Sequence, residues 1–81
     1  MSRDVLLYLE DVVDACSNIL EYAGSTSRED FLGGGMAFDA IVRNLEIIGE
    51  AVKHLPEGFR VRHPEVDWKR IAGLRDLLAH A

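Results

Sequence analysis

Met36-Ala-Phe-Asp-Ala-Ile-Val-Arg-Asn-Leu-Glu-Ile-Ile-Gly-Glu-Ala-Val-Lys-His54 is the stretch whose reading decides the fold. Phe38, Ile41, Leu45, Ile48 and Val52, continued by Leu55, recur every three or four residues, which places them on one face of an α-helix. A strand would alternate every second residue, so the spacing predicts a long helix from Met36 to about His54. Gly49 lies inside it at a cost of about 1 kcal/mol relative to Ala, which points to close approach by another helix. Arg43, Glu46 and Glu50 are spaced for ion pairs along its outer face.

A second stripe of the same kind lies upstream. Val5, Leu9, Val12, Cys16, Ile19 and Ala23 step by three and four, and Leu6, Val13 and Leu20 widen the face. This predicts a five-turn helix, capped at Ser2 with Asp4 in its first turn and ended by Gly24. It is the natural antiparallel partner of the helix at 36–54. Glu10, Asp11, Asp14 and Glu21 occupy its other side and read as a solvated surface. Between the two helices, Ser27 is the expected cap of a short helical turn through Phe31 and Leu32, broken by Gly33-Gly34-Gly35. A phosphate-cradling loop would need a strand before these glycines and Gly-Lys-Ser/Thr after them, so they read as a joint.

Downstream, Pro56-Glu-Gly58 reads as a turn, followed by a loop carrying Arg60, Arg62 and His63 and a tight turn from Pro64. Asp67 then caps a closing amphipathic helix that runs to His80. The pattern is all-α: one domain over residues 1–81, an antiparallel bundle of two long helices, a short one and a C-terminal helix.

With 81 residues, of which 48% are hydrophobic and 28% charged, the composition is that of a globular protein. A chain this short buries only about 60% of its unfolded surface, so it is expected to need a partner. No apolar run approaches the ~20 residues of a membrane span, and acidic residues at positions 4, 10 and 11 stand where a secretory signal would be apolar; a cytoplasmic, non-membrane location is expected. Cys16 is the single cysteine, and with three scattered histidines it offers neither a disulfide nor metal-ligand spacing. No cofactor is called for. The net charge of −5 is uneven: residues 1–52 carry three basic and ten acidic side chains, residues 53–81 six basic and four acidic. An acidic protein is a poor non-specific binder of nucleic acid, yet its basic C-terminal third can engage a short stretch.

The closing helix holds the chemistry. Ile71, Leu74 and Leu78 form its apolar stripe, and Arg75 falls about 40° to one side of Ile71 on a helical wheel. His80 lies about 140° from Arg75, so one straight helix does not set the two side by side. Asp76 and His80 are four apart and share a face, where a carboxylate can hold the imidazole in one tautomer. Arginine and histidine meet at one site if the arginine reaches around, if the helix distorts, or if a second copy packs across it. Cleaving RNA without a metal needs a base for the 2′-hydroxyl proton and a cation for the phosphorane, which a histidine and an arginine supply.

Three ordered blocks, Arg43-Asn-Leu-Glu-Ile-Ile-Gly-Glu-Ala-Val-Lys53, His63-Pro-Glu-Val-Asp-Trp68 and Ile71-Ala-Gly-Leu-Arg-Asp-Leu-Leu-Ala-His80, resemble the HEPN superfamily, specifically its HepT-like toxins. The resemblance implies an all-helical bundle, a two-fold homodimer with the motifs meeting in a cleft, and a metal-independent endoribonuclease acting on RNA. It further implies a type VII-like toxin–antitoxin pair in which a minimal nucleotidyltransferase is the antitoxin. Arg75 and His80 match the family's catalytic positions, and Asp76 matches the polar residue that supports them. The family motif continues to a tyrosine two positions past the histidine, which the antitoxin can modify with AMP, and then to a further helix. This chain stops at Ala81 and is expected to lack that helix; Tyr8 and Tyr22, both in the first helix, cannot replace the tyrosine. The rival readings are a non-catalytic helical interaction module and a regulatory domain that holds a nucleotide phosphate at the same arginine and histidine.

Overall fold

The computed structural model describes residues 4–79, apart from the side chains of Arg75, Leu78 and Ala79. The elements are α1 (Val5–Gly24), α2 (Arg28–Leu32), α3 (Met36–Lys53), α4 (Glu57–Val61), α5 (Trp68–Ala72) and α6 (Leu74–Ala79), with no strand among the described residues. The all-α bundle expected from the periodicity is what forms.

Two contacts fix how the long helices lie. The Tyr8 and His54 rings stack with centroids 5.3 Å apart, and Asn18 Nδ2 donates to Asn44 Oδ1 at 3.1 Å. Ten residues forward along α1 correspond to ten residues back along α3, which is an antiparallel pairing in register. Asn44 is buried, and its Nδ2 also donates to the Ala40 carbonyl at 2.8 Å, so its amide is paired rather than stranded in the core.

The core is Ala15, Ile48, Val52 and Leu55, with Val12, Ile19, Phe59, Trp68 and Ile71 among the half-buried side chains packed around it. Ala15 is the small residue that lets α1 lie close to α3, and Val52, 1% exposed, is the most enclosed side chain. α3 packs against α1, α2, α5 and α6, so the stretch at 36–53 is the shared wall of the whole bundle. Gly49 is buried in that wall.

The local signals fared unevenly. Ser27 caps α2, its Oγ accepting from the Asp30 amide at 3.0 Å, and Asp67 caps α5, its Oδ1 accepting from the Arg70 amide at 3.1 Å. Gly34 takes φ +75° in the triple-glycine joint, a backbone that favours glycine. The start of α1 differs: Asp4, not Ser2, is the cap, with Oδ1 accepting from the Leu6 amide at 2.9 Å, while Ser2 lies outside the described residues. At its end α1 runs through Gly24, and Ser25 closes it by donating its amide and hydroxyl to the Tyr22 carbonyl.

Three expectations need correction. The apolar face of α1 is wider than one neighbouring helix covers, so Cys16 is exposed, as are Leu6 (60%), Val13 (62%) and Leu20 (74%); the buried line runs through Tyr8, Val12, Ala15 and Ile19. The segment after Pro56 is not a turn and loop but the helical turn α4, which carries Arg60 and packs Phe59 into the core. The closing helix is interrupted: Gly73, with the poorest helix propensity after proline, separates α5 from α6. Gly73 keeps right-handed dihedrals, φ −77° and ψ −8°, and its carbonyl still accepts from the Leu77 amide.

Truncating an enclosed core side chain removes its burial and leaves a cavity. Leu55→Ala is therefore expected to cost about 2–5 kcal/mol, and Leu20→Ala less than about 0.5 kcal/mol, in urea unfolding followed by circular dichroism. Asn44→Ala leaves Asn18 without its cross-helix partner and is expected to cost about 1–3 kcal/mol in the same measurement.

Candidate functional site

The motif residues start on α6, a short helix that packs on α3 and α5. Leu74 is half-buried and turns the first residue of α6 toward the bundle. Arg75 follows on the same turn, but its side chain is among those not described, and His80 lies outside the described residues altogether. Of the three residues expected to form the site, Asp76 alone has a described side chain. It is exposed, and its Oδ2 lies 3.8 Å from Nζ of Lys53 at the end of α3. Spacing could not have revealed this pair, because the partners are far apart in sequence. Asp76 is largely in solvent and Lys53 partly so, so the bridge adds little stability. It does mark where the motif turn sits, against the C-terminal end of α3.

Between α1 and α3 lies a concavity of about 520 Å³ that follows α3 from Arg43 to His54, lined by Tyr8, Asp11, Arg43, Glu46, Glu50 and His54 among others. Its α3 residues share one helix face because 43, 46, 50 and 54 are spaced by three and four. Arg43 lies 3.9 Å from Glu46, as expected for that pair. Glu50 instead meets His54, with Oε1 3.2 Å from Nε2, and the same imidazole stacks on Tyr8 with the rings 11° from parallel. Neither Tyr8 nor His54 stood out in the sequence: Tyr8 passes for a core aromatic on α1, and His54 for the last residue of a helix. Only the antiparallel register brings them together.

The basic segment forms a separate cluster. His63 packs on Phe59 at 4.8 Å, its Nδ1 is 3.3 Å from Glu65, and its carbonyl accepts from Trp68 Nε1 at 2.8 Å. These bonds fix the path from α4 into α5 and so the origin of the motif segment. Arg70, at the end of this path, lies 3.6 Å from Asp67. Among the described residues no three of His, Cys, Asp and Glu converge as metal ligands, and no helix is long and apolar enough to cross a membrane.

Comparison with known proteins places this arrangement. Residues 12–81 match the family described as Ribonuclease HepT-like, a match that includes α3, the basic segment and the whole Arg75–His80 stretch. A provisionally named RNase of Caldanaerobacter subterraneus subsp. tengcongensis is 49% identical over 73 residues, covering 90% of this chain and 65% of that protein. A protein of Thermococcus cleftensis named "Probable ribonuclease HepT" is 43% identical over 81 residues, covering 100% of this chain and 74% of that protein. A provisionally named RNase of Methanocaldococcus jannaschii is 40% identical over 78 residues, covering 96% of this chain and 64% of that protein. The chain thus spans a little under two thirds of the length of two of these relatives. No solved structure gives a significant match. With a family match over most of its length and relatives above 40% identity, the chain belongs to the HepT-like ribonuclease family of the HEPN superfamily.

Proposed function

We propose that this protein is a metal-independent endoribonuclease whose site is built from Arg75 and His80, with Asp76 in support. The observation that carries the reading is the family match, which runs unbroken through residues 75–80 in a chain whose relatives are named as ribonucleases. In this reading His80 accepts the proton of a 2′-hydroxyl, and the resulting oxygen attacks the adjacent phosphorus. Arg75 binds the two non-bridging oxygens as charge builds on the phosphorane, a task suited to a planar, permanently charged guanidinium. The P–O5′ bond then breaks, leaving a 2′,3′-cyclic phosphate and a 5′-hydroxyl once the leaving oxygen is protonated. Asp76, four residues before His80, restrains the imidazole.

The same reading carries a homodimer and a nucleotidyltransferase antitoxin as partners, in the manner of a HEPN toxin–antitoxin pair. Support for an assembly comes from α1, where Leu6, Val13 and Leu20 recur every seven residues and stand exposed. A stripe of that size is ordinarily covered by another protein surface.

The test is cleavage of single-stranded RNA by the purified protein in excess chelator, read on sequencing gels. Cleavage is expected to persist without metal. His80→Ala and Arg75→Ala are each expected to lower its rate by about a hundredfold or more. A His80→Ala protein as active as the parent would overturn the assignment.

A further inference from the structure

We propose that the uncovered face of α1 is a docking surface for an amphipathic helix of another protein, one that carries a row of lysine or arginine along one edge of its apolar stripe. Leu6, Val13 and Leu20 stand 60%, 62% and 74% exposed on that face, and Cys16 is exposed between them. They recur every seven residues, and Leu9 and Cys16 follow Leu6 and Val13 by three, which is the seam spacing by which one helix packs along another. From Leu6 to Leu20 the seam runs about 21 Å, the length of a helix of about fifteen residues. A groove of about 270 Å³ opens on its first half, lined by Leu6, Leu9, Val13, Glu10 and Asp14.

The charge beside the seam selects the occupant. α1 carries four carboxylates and no basic residue. Three of them, Glu10, Asp14 and Glu21, fall about 80° around the helix from the line of Leu6, Val13 and Leu20, on the side away from the residues packed on α3. The seam is thus bounded by the bundle on one side and by an acidic row on the other. All three carboxylates are exposed, and none has an ion-pair partner among the described residues. A neutral apolar partner closing over the seam would strip water from them and return nothing. A partner with cations opposite the row offsets that loss and gains charge-assisted hydrogen bonds. A second copy of this chain brings the same acidic row and a net charge of −5 to the contact, and an antiparallel two-fold pairing would set the two rows side by side.

The probes are three labelled synthetic helices of about eighteen residues with one shared leucine–isoleucine seam and Lys, Gln or Glu along its edge. Their binding to the full chain is read by fluorescence anisotropy. Cys16, the single thiol of the chain, reports in parallel whether the seam is covered, through its rate of alkylation. The Lys-edged helix is expected to bind about tenfold tighter than the Gln-edged one at low ionic strength, to lose most of that advantage in high salt, and to slow alkylation of Cys16. The Glu-edged helix is expected to bind weakest.

Replacing Glu10→Gln, Asp14→Asn and Glu21→Gln together is expected to abolish the Lys preference. Removing the same charge elsewhere, by Glu29→Gln, Asp39→Asn and Glu57→Gln, is expected to retain it. Val13→Ser with Leu20→Ser is expected to weaken all three helices by about tenfold or more, with circular dichroism showing each variant as helical as the parent. Four results overturn the docking surface: no binding of any helix, equal binding of the Lys and Gln helices, a Lys preference that survives the loss of the α1 carboxylates, or Cys16 as reactive in the saturated complex as in the free protein. Protection of Cys16 that rises with protein concentration alone, alongside a dimer in sedimentation, assigns the seam to a second copy and overturns it too. Binding is read without RNA, so its failure leaves the ribonuclease reading untouched.

Discussion

The antiparallel contact between α1 and α3 is the constraint on which the rest of the molecule depends. Ala15 keeps the helices close, Ile48, Val52 and Leu55 fill the space between and beneath them, and the Asn18–Asn44 bond sets their register. A slip of one turn would break that bond and part Tyr8 from His54, so core and concavity are fixed by the same alignment. α1, α2, α5 and α6 all lean on α3. α4, α5 and α6 are only five or six residues long, too short to be stable helices in isolation; α4 is held by Phe59 and α5 by Trp68 and Ile71, which pack against the core, and α6 by its packing on α3 and α5.

This economy leaves α1 covered on one side only. Its exposed leucines and valine lie away from α3, and in a chain of 81 residues no further helix is available among the described elements to meet them. The fully enclosed core is small, with four clustered residues carrying most of it. A bundle so built gains from any surface that closes over α1, and the need is physical, independent of which partner supplies it.

The long helices were legible because their apolar residues keep a 3.6-residue repeat over five turns, and the caps at Ser27 and Asp67 because a side-chain oxygen before a helical run has few other uses. The face of α1 was legible only roughly. A stripe containing Leu6, Leu9, Val12, Val13, Cys16 and Ile19 is wide enough to be centred in two ways; Val5, Leu9, Val12 and Ile19 do face the core, but Ala15 is buried there and Cys16 is exposed. Pro56 and Gly58 look like turn residues in either state, so α4 was hidden; Pro56 serves as the residue ahead of the first helical turn. The pairs Tyr8–His54 and Lys53–Asp76 depend on tertiary register and leave no local trace. The motif itself was legible as a pattern of residue types, but what its neighbours on α3 contribute was not.

Charge is divided unevenly along the chain, and that limits how RNA could be held. A protein of net charge −5 cannot rely on phosphate attraction over its whole surface. Its positive charge is concentrated in residues 53–81, which carry six of the nine basic side chains, Arg75 of the motif among them, against four acidic ones. Phosphate attraction is therefore strongest in the segment that bears the motif, and the acidic remainder of the chain opposes binding elsewhere.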